Sequence, residues 1–386
     1  MTAMRQTILK RFILLLGAVA LSGGVASVLA APYLPRLFLE GYPQPRWPAP
    51  GNFAKLPGDK NAKTYKAVGT ANLRLRELLE KSDGKALLVY QGGQLRIAHY
   101  ANDVTPNTLF NSYSMSKSLI GALLLKAVDE GRIGSLDDPI GRYLPTVGDA
   151  PFCELPLTAF ATMRSGVTTE AGATKAMSGP EQKDLEAVRY NPFGPMARLH
   201  MSGLTAIASD LRSDAAVRGA YSYQNVNTAL LGAVLERVYD RPLESVLAEK
   251  IWLPAGAAPG VWRRYGAKLT VTPYCCIYAT ASDWMRVGVF FMRNGSNETW
   301  FLPDELLRQL FGAGGSLAER EAGHYGLQNY HNVLDRPGEA LQGPFTYLFG
   351  SRGQVVYMKP DDDLVVVRFG EQIQLLHSTL YSAWAS

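Results

Sequence analysis

Two hairpin patterns stand at opposite ends of this chain, and they limit its fold more than any other feature. Lys85–Tyr90 and Gln94–Tyr100 are aliphatic and aromatic runs joined around Gly92-Gly93. Gln354–Met358 and Leu364–Phe369 repeat the pattern around Lys359-Pro360-Asp361-Asp362-Asp363. Such runs, bounded by Gly, Pro and Asp, read as paired antiparallel strands. The stretch 140–300 reads mostly as helix and loop. Ser116–Glu130 carries Leu119, Ile120, Leu123, Leu124 and Ala127 at helical spacing and stops at Gly131. Thr228–Tyr239 is a second helix, closed near Asp240-Arg241-Pro242. Ser282 is the expected N-cap of a third over Asp283–Arg293, stopped by Asn294-Gly295. A last helix is expected over 373–384. Strands from both ends around a helical middle predict an α+β body: one antiparallel sheet built from both termini, with a helical insertion.

The segment before this body has its own character. Arg5, Lys10 and Arg11 precede an apolar run from Phe12 to Ala31. That is the pattern of an export signal, with Val28 and Ala30 as small residues before a cleavage site. The run is also just long enough to span a bilayer. Both readings stay open for 1–31, a cleaved signal peptide or a retained membrane anchor. Under both, the body is exported, either periplasmic or tethered outside the cytoplasmic membrane. Residues 32–75 are expected to form a Pro/Gly-rich linker. The catalytic domain is expected over 76–386.

The formal net charge is +5, and three of the positive charges lie before residue 12. With no dense basic run elsewhere, a nucleic-acid partner is not expected. The five histidines are scattered, HExxH is absent and no Cys/His spacing suits zinc, so no metal is expected. Of the three cysteines, Cys153, Cys275 and Cys276, the odd count leaves at least one thiol free. The neighbouring Cys275 and Cys276 are poor partners for each other on ordinary disulfide geometry. A bridge from Cys153 to either one stays open.

Three short motifs carry chemistry. The first is Ser114-Met115-Ser116-Lys117, at the start of the apolar helix. Ser and Lys three residues apart on a helix share a face. A lysine whose pKa is lowered by burial can take the serine's proton and make a nucleophile of it. The helix N-terminus adds positive potential at Ser114. A second match, Ser82-Asp83-Gly84-Lys85, sits at a turn where the two side chains need not meet. The second motif is Tyr223-Gln224-Asn225, before a helix. There a phenol beside an ammonium can shuttle protons, and an Asn can hold the lysine or a substrate carbonyl. Tyr330-His331-Asn332 matches the same pattern. The third is Gly350-Ser351-Arg352-Gly353-Gln354, small residues opening a strand, where backbone N–H groups can face a developing oxyanion. Each motif alone has a plain structural reading: an N-cap serine, a core tyrosine, a turn.

In this order the motifs resemble those of the serine hydrolases with the β-lactamase/penicillin-binding-protein fold. Phe110–Ser118, Glu130–Ile133, Leu136–Pro139 and Tyr143–Pro145 resemble the nucleophile segment and its continuation in the class C β-lactamase-related branch. Met163–Val167 and Ile277–Asp283 resemble two further blocks of that branch. Within it the chain is most similar to 6-aminohexanoate-dimer hydrolases and β-lactamase-like carboxylesterases. It departs from the pattern twice. Leu348-Phe349-Gly350 replaces the family's Lys-Thr-Gly, and Cys275-Cys276 stand where many relatives have a Gly pair.

The resemblance implies a catalytic set of Ser114 as nucleophile, Lys117 as base and Tyr223 as proton shuttle. It implies an oxyanion hole from the N–H groups of Ser114 and Ser351. Asn225, Gly350, Arg352 and Gly353 are the expected substrate-binding residues, with Arg352 a candidate for a substrate carboxylate. No cofactor is implied. The expected substrate is a small ester or amide, or a peptide-like molecule, cleaved through an acyl-enzyme. The rivals are a β-lactamase or D,D-peptidase and, in another class, a non-catalytic member of the fold that binds peptidoglycan or a partner protein. The absence of a G-x-S-x-G elbow speaks against an α/β-hydrolase.

Overall fold

A computed structural model describes residues 31–40, 52–145, 151–168, 192–296, 299–312, 324–332, 345–373 and 375–384. The apolar run Phe12–Ala31 lies outside them, save Ala31. Among the described residues no helix is long and apolar enough to cross a membrane.

Along the chain the main elements are α1 (Leu34–Leu39), β1 (Phe53–Leu56), α2 (Leu73–Lys81), β2 (Gly84–Gln91), β3 (Gln94–Tyr100) and β4 (Phe110–Asn111). There follow α3 (Ser116–Asp129), α4 (Pro195–Ser202), α5 (Asn225–Tyr239), β5 (Gly260–Arg263), β6 (Ile277–Ala279) and α6 (Ala281–Met292). The chain closes with β7 (His324–Gly326), β8 (Asn329–His331), β9 (Thr346–Gly350), β10 (Gln354–Lys359), β11 (Leu364–Gly370) and α7 (Leu376–Trp384).

The main sheet runs β7-β8-β9-β10-β11-β2-β3, antiparallel throughout. Its C-terminal and N-terminal hairpins meet where β11 pairs with β2, Val366 opposite Val89. The expected sheet from both termini is therefore present. Gly92 and Gly93 take φ of 57° and 82°, the left-handed conformations a two-residue hairpin turn needs.

The central strands read as unbroken apolar runs because both faces are covered. Leu88, Val356, Val365 and Val367 join one core with Trp284 and Val287 of α6. Leu87, Val89, Val355, Tyr357 and Val366 join the other with Leu75 and Leu79 of α2 and Leu376 and Leu380 of α7. The result is a helix–sheet–helix sandwich. On the α6 side the body continues into a lobe whose core includes α3 and α5.

Three local expectations are corrected. Helix α6 is capped by Thr280, not Ser282: Thr280 and Asp283 form a reciprocal capping box. In place of an extended linker over 32–75, the described parts hold elements built into the body. Leu34 and Leu37 of α1 pack on Ala197 and Met201 of α4. Glu40 pairs with the buried Arg263 at 2.6 Å, and β1 pairs with β5. Among the strands that the 140–300 stretch also contributes are β5 and β6. These lie between β1 and β4 in a small second sheet. The third correction, at Cys275 and Cys276, belongs to the site.

Candidate active site

The nucleophile candidate sits just ahead of its helix rather than on it. Tyr113–Met115 form a single 3-10 turn that runs straight into α3. This still stacks Ser114 over Lys117. The Lys117 side chain is buried, 1% exposed, among the apolar neighbours that α3 brings. Its Nζ donates to Ser114 Oγ at 2.9 Å and to the Tyr274 carbonyl at 2.8 Å. The rings of Tyr223 and Tyr274 stand 4.9 and 5.7 Å from the ammonium. Among the described residues no carboxylate forms an ion pair with it. Burial alone therefore acts on its charge and pulls its pKa well below the ordinary lysine value of 10.5. A lysine in that state can be an uncharged base next to a hydroxyl.

One segment clamps this turn from the side. The Pro273 carbonyl accepts from Ser116 Oγ at 3.1 Å, and the Tyr274 carbonyl holds Lys117. Cys276 N–H donates to the Tyr113 carbonyl at 3.2 Å. Ile277 N–H donates to Ser112 Oγ at 3.0 Å, and Ser112 N–H to the Ile277 carbonyl at 2.8 Å. At its centre Cys275 and Cys276 are disulfide-bonded to each other, and Cys153 is free. This overturns the expectation that neighbours make poor partners. The small ring they form is accommodated by a left-handed backbone at Cys276, φ 75°.

Tyr223 enters the site from the start of α5. Its neighbours fix the backbone: Ser222 N–H donates to the Met163 carbonyl at 2.8 Å, and Ser165 Oγ donates to Asn227 Oδ1 at 2.7 Å. Its ring meets Tyr325 edge to face at 6.1 Å. Asn225 opens α5 but is not a hydrogen-bond partner of Lys117. The carbonyl of Tyr274 occupies that role instead. The competing Tyr330 lies on β8, buried and stacked on Tyr347.

The third motif arrives on β9. Gly350 passes so close to the nucleophile turn that a Cβ would collide with the Ser112 carbonyl oxygen. Only glycine lets the strand approach Ser112 and Tyr113 this closely. The turn Ser351–Gly353 is pinned from behind. Gln354 Nε2 donates to the carbonyls of Ser351 at 3.0 Å and Gly370 at 2.6 Å. Arg368, fully buried, donates to the carbonyls of Arg352, Gly353, Ser82 and Gln372. Burial brings its pKa down to about 10. Arg352 takes φ 66° and pairs with Glu371. Its guanidinium is thus already engaged, and Gly353 faces Arg368 rather than open space.

Three residues of this arrangement escape a reading of motifs, Tyr274, Asn227 and Arg368, while Gln354 stands in the third motif without a role assigned to it there. Arg368 leaves a visible trace, a charge inside the run Leu364–Phe369. Tyr274 leaves none, because it acts through its main chain.

A family model described as beta-lactamase matches residues 72–371. The chain is 24% identical over 187 residues to a 6-aminohexanoate-dimer hydrolase of Paenarthrobacter ureafaciens. That match covers 48% of this chain and 46% of the relative, so the chain spans about half the relative's length. A solved structure from Bacillus anthracis, provisionally named a 6-aminohexanoate-dimer hydrolase, superimposes with a TM-score of 0.69 at 18% identity. The overlap covers 86% of this chain and 89% of that one. EstCE1, described as a hydrolase with promiscuous acyltransferase activity, gives 0.61 at 16% identity, over 81% and 98% of the two chains. These two likenesses speak for the fold.

Proposed function

Because the chain belongs to the beta-lactamase family of serine hydrolases, we propose that it cleaves an ester or amide through an acyl-enzyme on Ser114. The observation that carries this reading is the 2.9 Å contact between Ser114 Oγ and the Nζ of a buried lysine with no carboxylate partner among the described residues. Lys117 takes the hydroxyl proton as Ser114 Oγ attacks the substrate carbonyl. The N–H groups of Ser114 and Ser351 receive the oxyanion of the tetrahedral intermediate. Tyr223, its ring 4.9 Å from the Lys117 ammonium, passes a proton to the leaving group and later takes one from the incoming water. Asn225 and the Gly350 edge contact the substrate.

Two features favour a neutral ester or amide over a carboxylated β-lactam or D,D-peptide. Leu348 stands where the family's lysine does, and the Arg352 guanidinium is paired with Glu371. The likeness to a 6-aminohexanoate-dimer hydrolase, whose named substrate is a linear amide, supports amide cleavage. The Phe12–Ala31 run, with its preceding charges, supports export of the body, either tethered or released.

A fluorophosphonate probe, followed by a panel of p-nitrophenyl esters, D-amino-acid amides and β-lactams, tests the reading. Labelling at Ser114 with ester or amide turnover is expected. Rapid β-lactam turnover would hand the reading to the β-lactamase alternative. No labelling at all would leave a binding protein on a hydrolase fold. Membrane fractionation with N-terminal sequencing tests export, and full-length protein in the cytoplasm would defeat it.

A further inference from the structure

We propose that the Cys275–Cys276 disulfide is a positioning element that holds the Tyr274 carbonyl on Lys117, so that opening the ring slows turnover. This rests on the reading of Ser114 and Lys117 given above.

The argument starts at the acceptor. A carbonyl oxygen can only accept, so it fixes one N–H of Lys117 toward Tyr274. When Lys117 is uncharged, that leaves its lone pair free to face Ser114 Oγ, as a base requires. The Tyr274 carbonyl is therefore an aiming device, and its placement depends on the residues that follow it. Cys276 has φ 75°, a region that residues other than glycine rarely occupy because the side chain crowds the backbone there. In this conformation its N–H reaches the Tyr113 carbonyl. The Cys275 carbonyl is held at 3.0 Å by both Trp262 Nε1 and Thr272 Oγ1. The ring joins the two side chains across this bend. Without it, Cys276 is free to relax to negative φ, withdrawing its N–H from the nucleophile turn and turning the Tyr274 carbonyl off Lys117.

Opening is a two-electron reduction. A dithiol cleaves the S–S bond, Cys275 and Cys276 each gain a hydrogen, and the reagent closes to a cyclic disulfide. Both cysteines are buried, 8% and 2% exposed, so variants accompany the reagent.

The experiment uses the full chain carrying Cys153→Ser, so that every thiol counted comes from the pair. Dithiothreitol provides the open ring chemically. Cys275→Ser/Cys276→Ser provides it genetically. Cys275→Gly/Cys276→Gly removes the ring but tolerates φ 75° without strain. A misplacement of about 1 Å can cost up to a hundredfold in rate. Opening is therefore expected to lower kcat and the fluorophosphonate labelling rate by about ten- to a hundredfold, with KM little changed. The Gly pair should recover most of the loss, and reoxidation should restore the reduced wild type. Loss of the carbonyl's support for the ammonium should also move the acid limb of kcat/KM to lower pH. A Ser pair that melts as a folded protein yet matches the closed enzyme in kcat and labelling would overturn this proposal alone. A closed enzyme that never labels would overturn the hydrolase reading and this proposal with it.

Discussion

The chain carries the same tetrapeptide pattern twice, and the two copies differ in almost every physical respect. In Ser82-Asp83-Gly84-Lys85 the lysine lies at the start of β2, 23% exposed, and pairs with Asp103 at 2.7 Å and Asp83 at 3.1 Å. The Asp103 and Asp83 hydrogen bonds outweigh desolvation and raise its pKa. Ser82 Oγ donates to the Leu79 carbonyl and accepts from Arg368, so it serves a helix end and a buried arginine. In Ser114-Met115-Ser116-Lys117 the lysine is buried with no carboxylate partner among the described residues, its pKa is lowered, and its Nζ meets the serine. Spacing puts a hydroxyl and an amine in reach of each other. Only desolvation without a counter-charge turns the amine toward a base. The lesson extends to the two Tyr-x-Asn patterns: Tyr223 faces the ammonium, whereas Tyr330 is stacked in an aromatic core.

The sharpest way to break the comparison is to remove each serine. Ser114→Ala is expected to cost on the order of a millionfold in kcat, the scale of losing a hydrolase nucleophile, and to abolish fluorophosphonate labelling. Ser82→Ala should label as the parent does. Labelling lost in the second variant and kept in the first would reverse the assignment.

The lysines and tyrosines come next. Lys117→Met and Tyr223→Phe are each expected to cost about a hundredfold or more, as general acid–base groups do. Their double variant should fall well short of the product, because the two move one proton. Lys85→Met and Tyr330→Phe should keep parental kcat. A multiplicative double variant would separate Tyr223 from the relay.

A pH profile separates the lysines without mutation. A base works unprotonated, so kcat/KM should fall on the acid side as Lys117 takes up its proton, with a midpoint below the ordinary 10.5. Lys85, shifted the other way, contributes nothing to that limb. The same shift bears on stability. The unfolded chain binds the Lys117 proton at a higher pH than the folded one, so between the two pKa values this group makes stability rise with pH. Loss of the acid limb in Lys117→Met, measured on the residual rate, checks the assignment.

How much of this the sequence carried depended on the length scale of each signal. The hairpins of β2–β3 and β10–β11 and the helices α3 and α5 are long enough for a period to show. Strands β1, β4, β5 and β6 are two to four residues long and have no period to read. The sheet that joins the nucleophile turn to the Cys275–Cys276 segment was for that reason invisible. The cap is Thr280, two residues before the expected Ser282, because both residues are capping types and type alone does not separate them. The aiming of Lys117 was illegible for a deeper reason: a main-chain carbonyl has no residue signature. The adjacent disulfide is not legible from the usual Cα spacing rules, which describe partners distant in sequence. It forms here on a left-handed backbone that those rules do not cover.

The smallest expected effect tests what the Ser82 copy is for. Ser82 is fully buried, and Arg368 Nη2 donates to its Oγ at 3.1 Å and its carbonyl at 2.7 Å. Ser82→Ala removes one neutral acceptor but leaves Arg368 its backbone carbonyl partners. With the bond to the Leu79 carbonyl lost as well, the expected loss is about 2 kcal/mol, the net scale of two hydrogen bonds, rather than the larger cost of an orphaned buried charge. Chemical denaturation should show a lower midpoint at unchanged slope, with kcat kept. Arg368 also holds the carbonyls of Arg352 and Gly353 behind the Ser351 turn. A drop in kcat without a drop in stability would thus mean that Ser82 tunes that turn, and the division between a structural and a chemical copy of the motif would fail.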